Sequence, residues 1–165
     1  MDLGIKGKKA IVCASSKGLG KACASSLVQE GVDVIINSRN EIDLKEIQTE
    51  LSLLKAGKVD YVVADLNTEQ GRDNLISSCP EADILINNNG GPPPGNFLEM
   101  EKDQWLEALE SNLLSAIMLI KSLLPGMQER KFGRIINITS AMVKSPHPLM
   151  GLSTSARAGL TAFSK

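Results

Sequence analysis

Short apolar, β-branched runs alternate with segments of helical period along the whole chain, and this alternation restricts the fold more than any other feature. The run in "KKAIVCAS" spans residues 10–14, and "KGLGKACASSLVQEG" then reads as a helix stopping at Gly31. "VDVIINSR" is a second strand. In "NEIDLKEIQTELSLLKAG" the residues Ile42, Leu44, Ile47, Leu51 and Leu54 fall at helical spacing before Gly57. "KVDYVVADL" is a third strand, and "TEQGRDNLISSC" a helix with Thr68 as its N-cap. "ADILINN" and "GRIINITS" are the fourth and fifth strands. Between them lies a long helix, "EKDQWLEALESNLLSAIMLIKSLLPGMQER", expected to bend or end near Pro125. "GLSTSARAGLTAFSK" starts a further helix.

Strands that are apolar at consecutive positions and alternate with helices belong to a parallel sheet covered on both faces. Right-handed crossovers then favour an α/β, doubly wound sheet with strand order 3-2-1-4-5, a single domain over residues 1–165. Such sheets usually carry about six or more strands, so the helical pattern at Lys165 reads as the N-terminal part of a longer chain. With 18 Lys and Arg against 19 Asp and Glu, the chain has no surplus of positive charge to hold a polyanion. Nucleic acid is therefore not an expected partner. No apolar run in the sequence reaches the ~18 residues of a membrane span, and the first nine residues lack an apolar signal core. The three cysteines, Cys13, Cys23 and Cys79, have no metal-ligand spacing and are odd in number, as reduced thiols of a cytoplasmic protein would be.

Ligands of doubly wound sheets bind beyond the carboxyl ends of the strands, so the loops there are the candidate site. The loop over residues 13–20, "CASSKGLG", joins the first strand to the first helix. Its Ala14, Ser15, Ser16, Lys17, Gly18 and Leu19 bring small residues and helix-terminal amides to a pyrophosphate. A glycine pair alone is a weak signal, and its place between strand and helix strengthens it. After the second strand, where an NAD site carries a carboxylate, the chain has Ser38 and Arg39. With Lys17 they suit a 2′-phosphate, hence NADP(H); an ordinary exposed loop cation is the plain alternative. Asp65 and Leu66 end the third strand, where Asp65 suits an adenine amino group or a cap on the next helix. In "NNNGGPPPG" three asparagines follow an apolar strand. Burying them without partners is costly, so Asn88, Asn89 and Gly90 are read as lining a ligand. Ser140 lies just past the fifth strand with an expected free hydroxyl. Lys144 and His147 follow in a loop, where His147 is either exposed or turned towards the cleft.

Together these loops resemble the short-chain dehydrogenase/reductase family of Rossmann-fold enzymes, over the whole chain in order and spacing. The branch resembled is that of 3-oxoacyl-acyl-carrier-protein reductases. The family's T-G-x-x-x-G-x-G reads here with Cys13 and Ala14 for the Thr and first Gly, while Gly18 and Gly20 match. Its N-N-A-G reads Asn87, Asn88, Asn89 and Gly90. The resemblance makes Asn112 the relay asparagine and Ser140 the substrate-polarising serine. The family's general-acid Tyr, thirteen positions after that serine, is Ser153 here, and the Lys four positions later is Arg157. Tyr61, the only tyrosine, lies in the third strand, at the far edge from the fifth. The implied activity is NADP(H)-dependent reduction of a carbonyl, or oxidation of the alcohol, with Arg157 steadying the cofactor ribose and an atypical proton path. The alternatives are a non-catalytic NADP(H)-binding protein and an inactive fragment. The resemblance also implies a homodimer or homotetramer built on the long helix and the helix of Arg157.

Overall fold

A computed structural model describes residues 2–165. The alternation becomes five parallel strands: β1 (Lys9–Val12), β2 (Asp33–Ser38), β3 (Val59–Val63), β4 (Ile84–Asn87) and β5 (Arg134–Asn137). Their order is β3-β2-β1-β4-β5, as the sequence implies. Ile11 pairs with Ile35 on one side and Leu85 on the other, which makes β1 central. Helices α1 (Gly18–Gln29), α2 (Glu41–Ser52) and α3 (Glu69–Ser78) form the first crossovers. The chain moves outward from β1 to β3, then returns to place β4 on the other side of β1. That reversal opens a crevice at the carboxyl ends of β1 and β4.

Side chains alternate across the sheet, so each strand feeds two cores. Ala10 and Val12 pack with Val34, Ile36 and the inner faces of α1 and α2. Ile11 and Cys13 point the other way, into a core with Leu75, Leu85, Leu119 and Leu123. Cys13 and Cys79 are buried and Cys23 half-buried, all three as free thiols.

The long helix differs from its sequence expectation. Lys102–Leu109 (α4) and Ser115–Glu129 (α5) are joined by a π-turn, Glu110–Leu114, and the helix runs on past Pro125. Pro125 and Lys121, the residue whose carbonyl the proline leaves without its helical partner, are both exposed, so water can take that bond. The irregularity falls instead at Asn112, inside the π-turn. The helical run Lys102–Glu129 is long and apolar enough to cross a membrane by length and composition. Its inner residues Leu119, Ile120, Leu123 and Met127 nevertheless belong to the core beneath the sheet. The last helix, α6 (Gly151–Phe163), packs on α4 and the π-turn. A side chain at Gly151 would lie 3.5 Å from Trp105, and one at Gly159 3.3 Å from Leu113. Small residues in "GLSTSARAGL" therefore serve a close helix contact.

Candidate active site

The loop after β1 is shaped by two glycines with different tasks. Gly18 has a φ of +57°, which favours glycine, and opens onto free space. At Gly20 a β-carbon would sit 2.4 Å from the Ala14 carbonyl oxygen, so only glycine lets α1 start there. Ala14 itself is held at φ +46°, where the family motif has glycine. Ser15 is fully buried beneath the loop. Its hydroxyl donates to the Val12 carbonyl at 2.8 Å and accepts the Asn37 amide at 2.9 Å, tying the ends of β1 and β2 together. Lys17, the N-cap of α1, makes no side-chain cap bond. The first amides of α1 thus lack a capping side chain and suit an anion.

These features border a cleft of about 560 Å³ whose wall includes Ala14, Ser16, Lys17, Ser38, Arg39 and Asp65. Leu66, Asn88, Asn89 and Gly90 of the predicted set also line it, whereas Gly18 and Arg157 do not. Ser15 lies underneath, and Leu19 turns outward, 66% exposed. Lys17 and Arg39 are exposed, and neither is ion-paired among the described residues. The Asn40 side chain accepts the Ile42 amide at 2.9 Å and caps α2, which sets the turn that carries Arg39. The Ser38 hydroxyl is engaged within that turn, donating to the Asn40 carbonyl at 3.1 Å. Asp65 accepts the Asn67 amide at 3.0 Å within the turn after β3, and the cap of α3 is Thr68, so Asp65 does not cap that helix. Sequence reasoning missed Asn37, which lines the cleft and donates to the Val62 and Ala64 carbonyls at 3.0 and 3.2 Å. A polar residue closing a β-branched run was the available signal.

The asparagine loop is satisfied mainly by protein. Asn87 donates to the Asn137 side chain at 2.8 Å. Asn88 donates to the Ala14 carbonyl at 3.2 Å, and Asn89 to the Ser111 carbonyl at 2.9 Å. Three neighbouring amides therefore fasten β4 to β5, to the glycine loop and to the π-turn. Asn88 and Asn89 also line the cleft, in addition to this structural role.

Past β5, Ser140 keeps its hydroxyl proton free to donate, while its oxygen takes part in a turn. Its oxygen accepts the Met142 amide at 3.2 Å and caps a 3-10 turn, Ala141–Val143. His147 likewise caps the turn Pro148–Met150, accepting the Leu149 amide at 3.2 Å through Nδ1. Lys144 and His147 are both exposed. Ser153 and Arg157 lie one turn apart on the buried face of α6, at 4% and 7% exposure. Arg157 Nη1 donates to the Ile138 carbonyl at 2.7 Å and the Thr139 carbonyl at 3.4 Å. Nη2 donates to the Asn89 carbonyl at 3.0 Å. The lone cation of the helix thus joins the β4 and β5 loops, and burial lowers its pKa from the ordinary arginine value.

Behind Arg157 lies a cavity of about 20 Å³, lined also by Asn87, Asn112 and Cys13. The side-chain oxygens of Asn87 and Asn112 are buried there without a hydrogen-bond partner. The cavity is roomy enough for one water, which needs about 10–15 Å³ of this measure.

Residues 8–165 match the family model described as short chain dehydrogenase. An uncharacterized oxidoreductase of Bacillus subtilis, YvaG, is 41% identical over 147 residues, covering 88% of this chain and 56% of its own. The 3-oxoacyl-[acyl-carrier-protein] reductase FabG of Salmonella typhimurium is 32% identical over 163 residues, covering 99% and 67%. The L-sorbose reductase of Gluconobacter frateurii, solved with NADPH and L-sorbose, superposes with a TM-score of 0.95 at 31% identity. That match covers 99% of this chain and 64% of the reductase. The chain thus spans from just over half to two thirds of the length of these relatives. An uncapped helix N-terminus beyond β1, a crevice between β1 and β4 and a sequence match over nearly the whole chain agree: the chain belongs to the short-chain dehydrogenase family.

Proposed function

We propose that this chain is the NADP(H)-binding part of an oxidoreductase that reduces a small carbonyl compound with a modified active site. The carrying observation is the cleft itself, where the uncapped start of α1 meets Lys17 and Arg39 and the end of β2 offers Ser38 instead of an acid. The amides at the start of α1 and the residues Ser16 and Lys17 would hold the pyrophosphate, and Lys17 and Arg39 a ribose 2′-phosphate. Asp65 and Leu66 would border the adenine. When bound, the reduced cofactor supplies a hydride. The relatives' NADPH complex and acyl-carrier-protein chemistry support this reading by analogy only. The small-molecule substrate is a carbonyl or its alcohol, 3-oxoacyl compounds being the first class to try.

The chain's own groups would then have to handle the proton. Ser153 is a far weaker acid than a tyrosine phenol of pKa ~10. Arg157 is a poor shuttle, because it stays protonated and is already bonded to three carbonyls. Asn112, with an unpartnered oxygen facing the 20 Å³ cavity, supports a water-borne route. Losing a positioned general acid costs typically ~100- to 10,000-fold in rate, so turnover is expected to be slow.

Titration with NADPH and NADH, followed by nicotinamide fluorescence, tests the cofactor assignment. NADPH is expected to bind at least about tenfold tighter, a difference of ~1.4 kcal/mol. Equal affinity refutes the 2′-phosphate site. A second reading, cofactor binding without turnover, is favoured by the engagement of Arg157. The double variant Ser153→Tyr, Arg157→Lys separates the two. Activity that rises from a measurable wild-type level indicates a slow enzyme, whereas activity seen only in the variant indicates a protein that has lost its chemistry. The exposed apolar side chains of Leu106 on α4, Leu114 in the π-turn and Met118 and Leu124 on α5 support a homodimer or homotetramer through the long helix. The balanced charge and free thiols are consistent with a cytoplasmic protein.

A further inference from the structure

A dinucleotide lies across the crevice of a doubly wound sheet, with one mononucleotide half on each side of the point where strand order reverses. Here the two sides differ. The 560 Å³ cleft is bordered by the loops after β1, β2 and β3 and reaches the β4 loop only at Asn88, Asn89 and Gly90. On the other side, over the ends of β4 and β5, the guanidinium of Arg157 bridges the carbonyls of Asn89, Ile138 and Thr139. Its Nη2 also lies 4.0 Å from where a β-carbon on Gly91 would be, directly beneath the Asn89–Gly91 stretch. Charge-assisted bonds of this kind are among the stronger ones, and a planar guanidinium fits several acceptors at once.

We propose that Arg157 latches the β4–β5 half of the crevice shut, so that the ligand class this site recognises is the adenosine 2′-phosphate 5′-diphosphate portion of NADP(H), with or without nicotinamide. The inference rests on the NADP(H) assignment of the cleft and sides with the second reading above, cofactor binding without turnover, for the chain with Arg157 in place. A nicotinamide ribose entering the second half must displace Arg157 from carbonyls that already hold it. The contacts it gains are offset by those it breaks. The adenosine half meets Lys17, Arg39 and the helix start with no such competition. A lysine at 157 has one ammonium in place of a fork and cannot span both loops, so Arg157→Lys opens the second half.

Calorimetric titration of the 165-residue chain with NADPH and with 2′-phospho-ADP-ribose, its nicotinamide-free counterpart, tests this. The expected result is that the two bind within about threefold of each other, and that in Arg157→Lys NADPH becomes favoured by about tenfold or more. A wild-type preference for NADPH beyond about threefold overturns the latch and leaves the cleft assignment standing. Binding of neither ligand overturns the cleft assignment and the latch with it. Thermal melting of Arg157→Lys without ligand checks that the variant is folded. The wild-type comparison decides the question even if it is not.

Discussion

Replacing Gly20 by alanine tests the geometry of the phosphate loop most directly. The added carbon would lie 2.4 Å from the Ala14 carbonyl oxygen and 2.9 Å from both the Ala14 carbonyl carbon and the Ser15 Cα. Ordinary contact lies at 3.4–4 Å, so the first turn of α1 or the Ala14 peptide must move by about 1 Å. The loop resists that shift because Ser15 is bonded to both Val12 and Asn37. Overpacking of this kind costs about 1–3 kcal/mol, and the clash here is with backbone, which places it at the upper end. Alanine recovers about 0.5–1 kcal/mol of helix propensity. The net expectation is a loss of about 1–2 kcal/mol, or roughly 2–8 °C in melting temperature, read by urea and thermal denaturation with circular dichroism. NADPH affinity should fall in parallel. A Gly20→Ala protein as stable as the wild type would refute the reasoning. The same loop predicts the opposite sign at Ala14, whose φ of +46° costs about 1–2 kcal/mol for a residue with a β-carbon. Ala14→Gly should relieve that strain and, after the greater chain entropy of glycine, stabilise by about 0.5–1 kcal/mol. A general sensitivity of the loop to substitution would make both variants worse.

Arg39→Ala should weaken NADPH by about tenfold in a fluorescence titration and leave NADH unchanged, since only the 2′-phosphate distinguishes them. Burial pushes the Cys13 thiol up to about 12, and burial aided by the Glu81 carboxylate pushes Cys79 up to about 11. A thiol reagent at neutral pH should therefore label half-buried Cys23 first, and the other two only on unfolding. The folded protein holds those thiol protons more tightly than the unfolded chain, so stability is full below the ordinary thiol range and falls as pH rises beyond about 9. Denaturation midpoints that stay level from pH ~7 to pH ~10 would contradict this. A high-resolution crystal structure should show one ordered water between the side-chain oxygens of Asn87 and Asn112, and a dry cavity there would remove the support for a water-borne proton.

Strand and helix order, the parallel sheet and the place of the cleft were legible in the sequence because they depend on signals a few residues long. Periods of two and 3.6, glycine stops, the Thr68 cap and a missing acid after β2 all act within one element or one loop. The tertiary structure alone decided which partner each polar group in the site takes. Asn87 finds Asn137, 50 positions away, and Arg157 finds the Asn89 carbonyl, 68 positions away. Composition gave no sign that Ser140 Oγ and His147 Nδ1 would each accept a turn amide, or that the long helix would open at Asn112 instead of Pro125. A buried donor or acceptor must be satisfied by whatever the fold brings within 3 Å or so, and that depends on long-range packing that no local pattern records. Arg157 shows the difference most clearly: its cationic identity was plain from the chain, but the three carbonyls that hold it belong to loops that only the assembled sheet brings together.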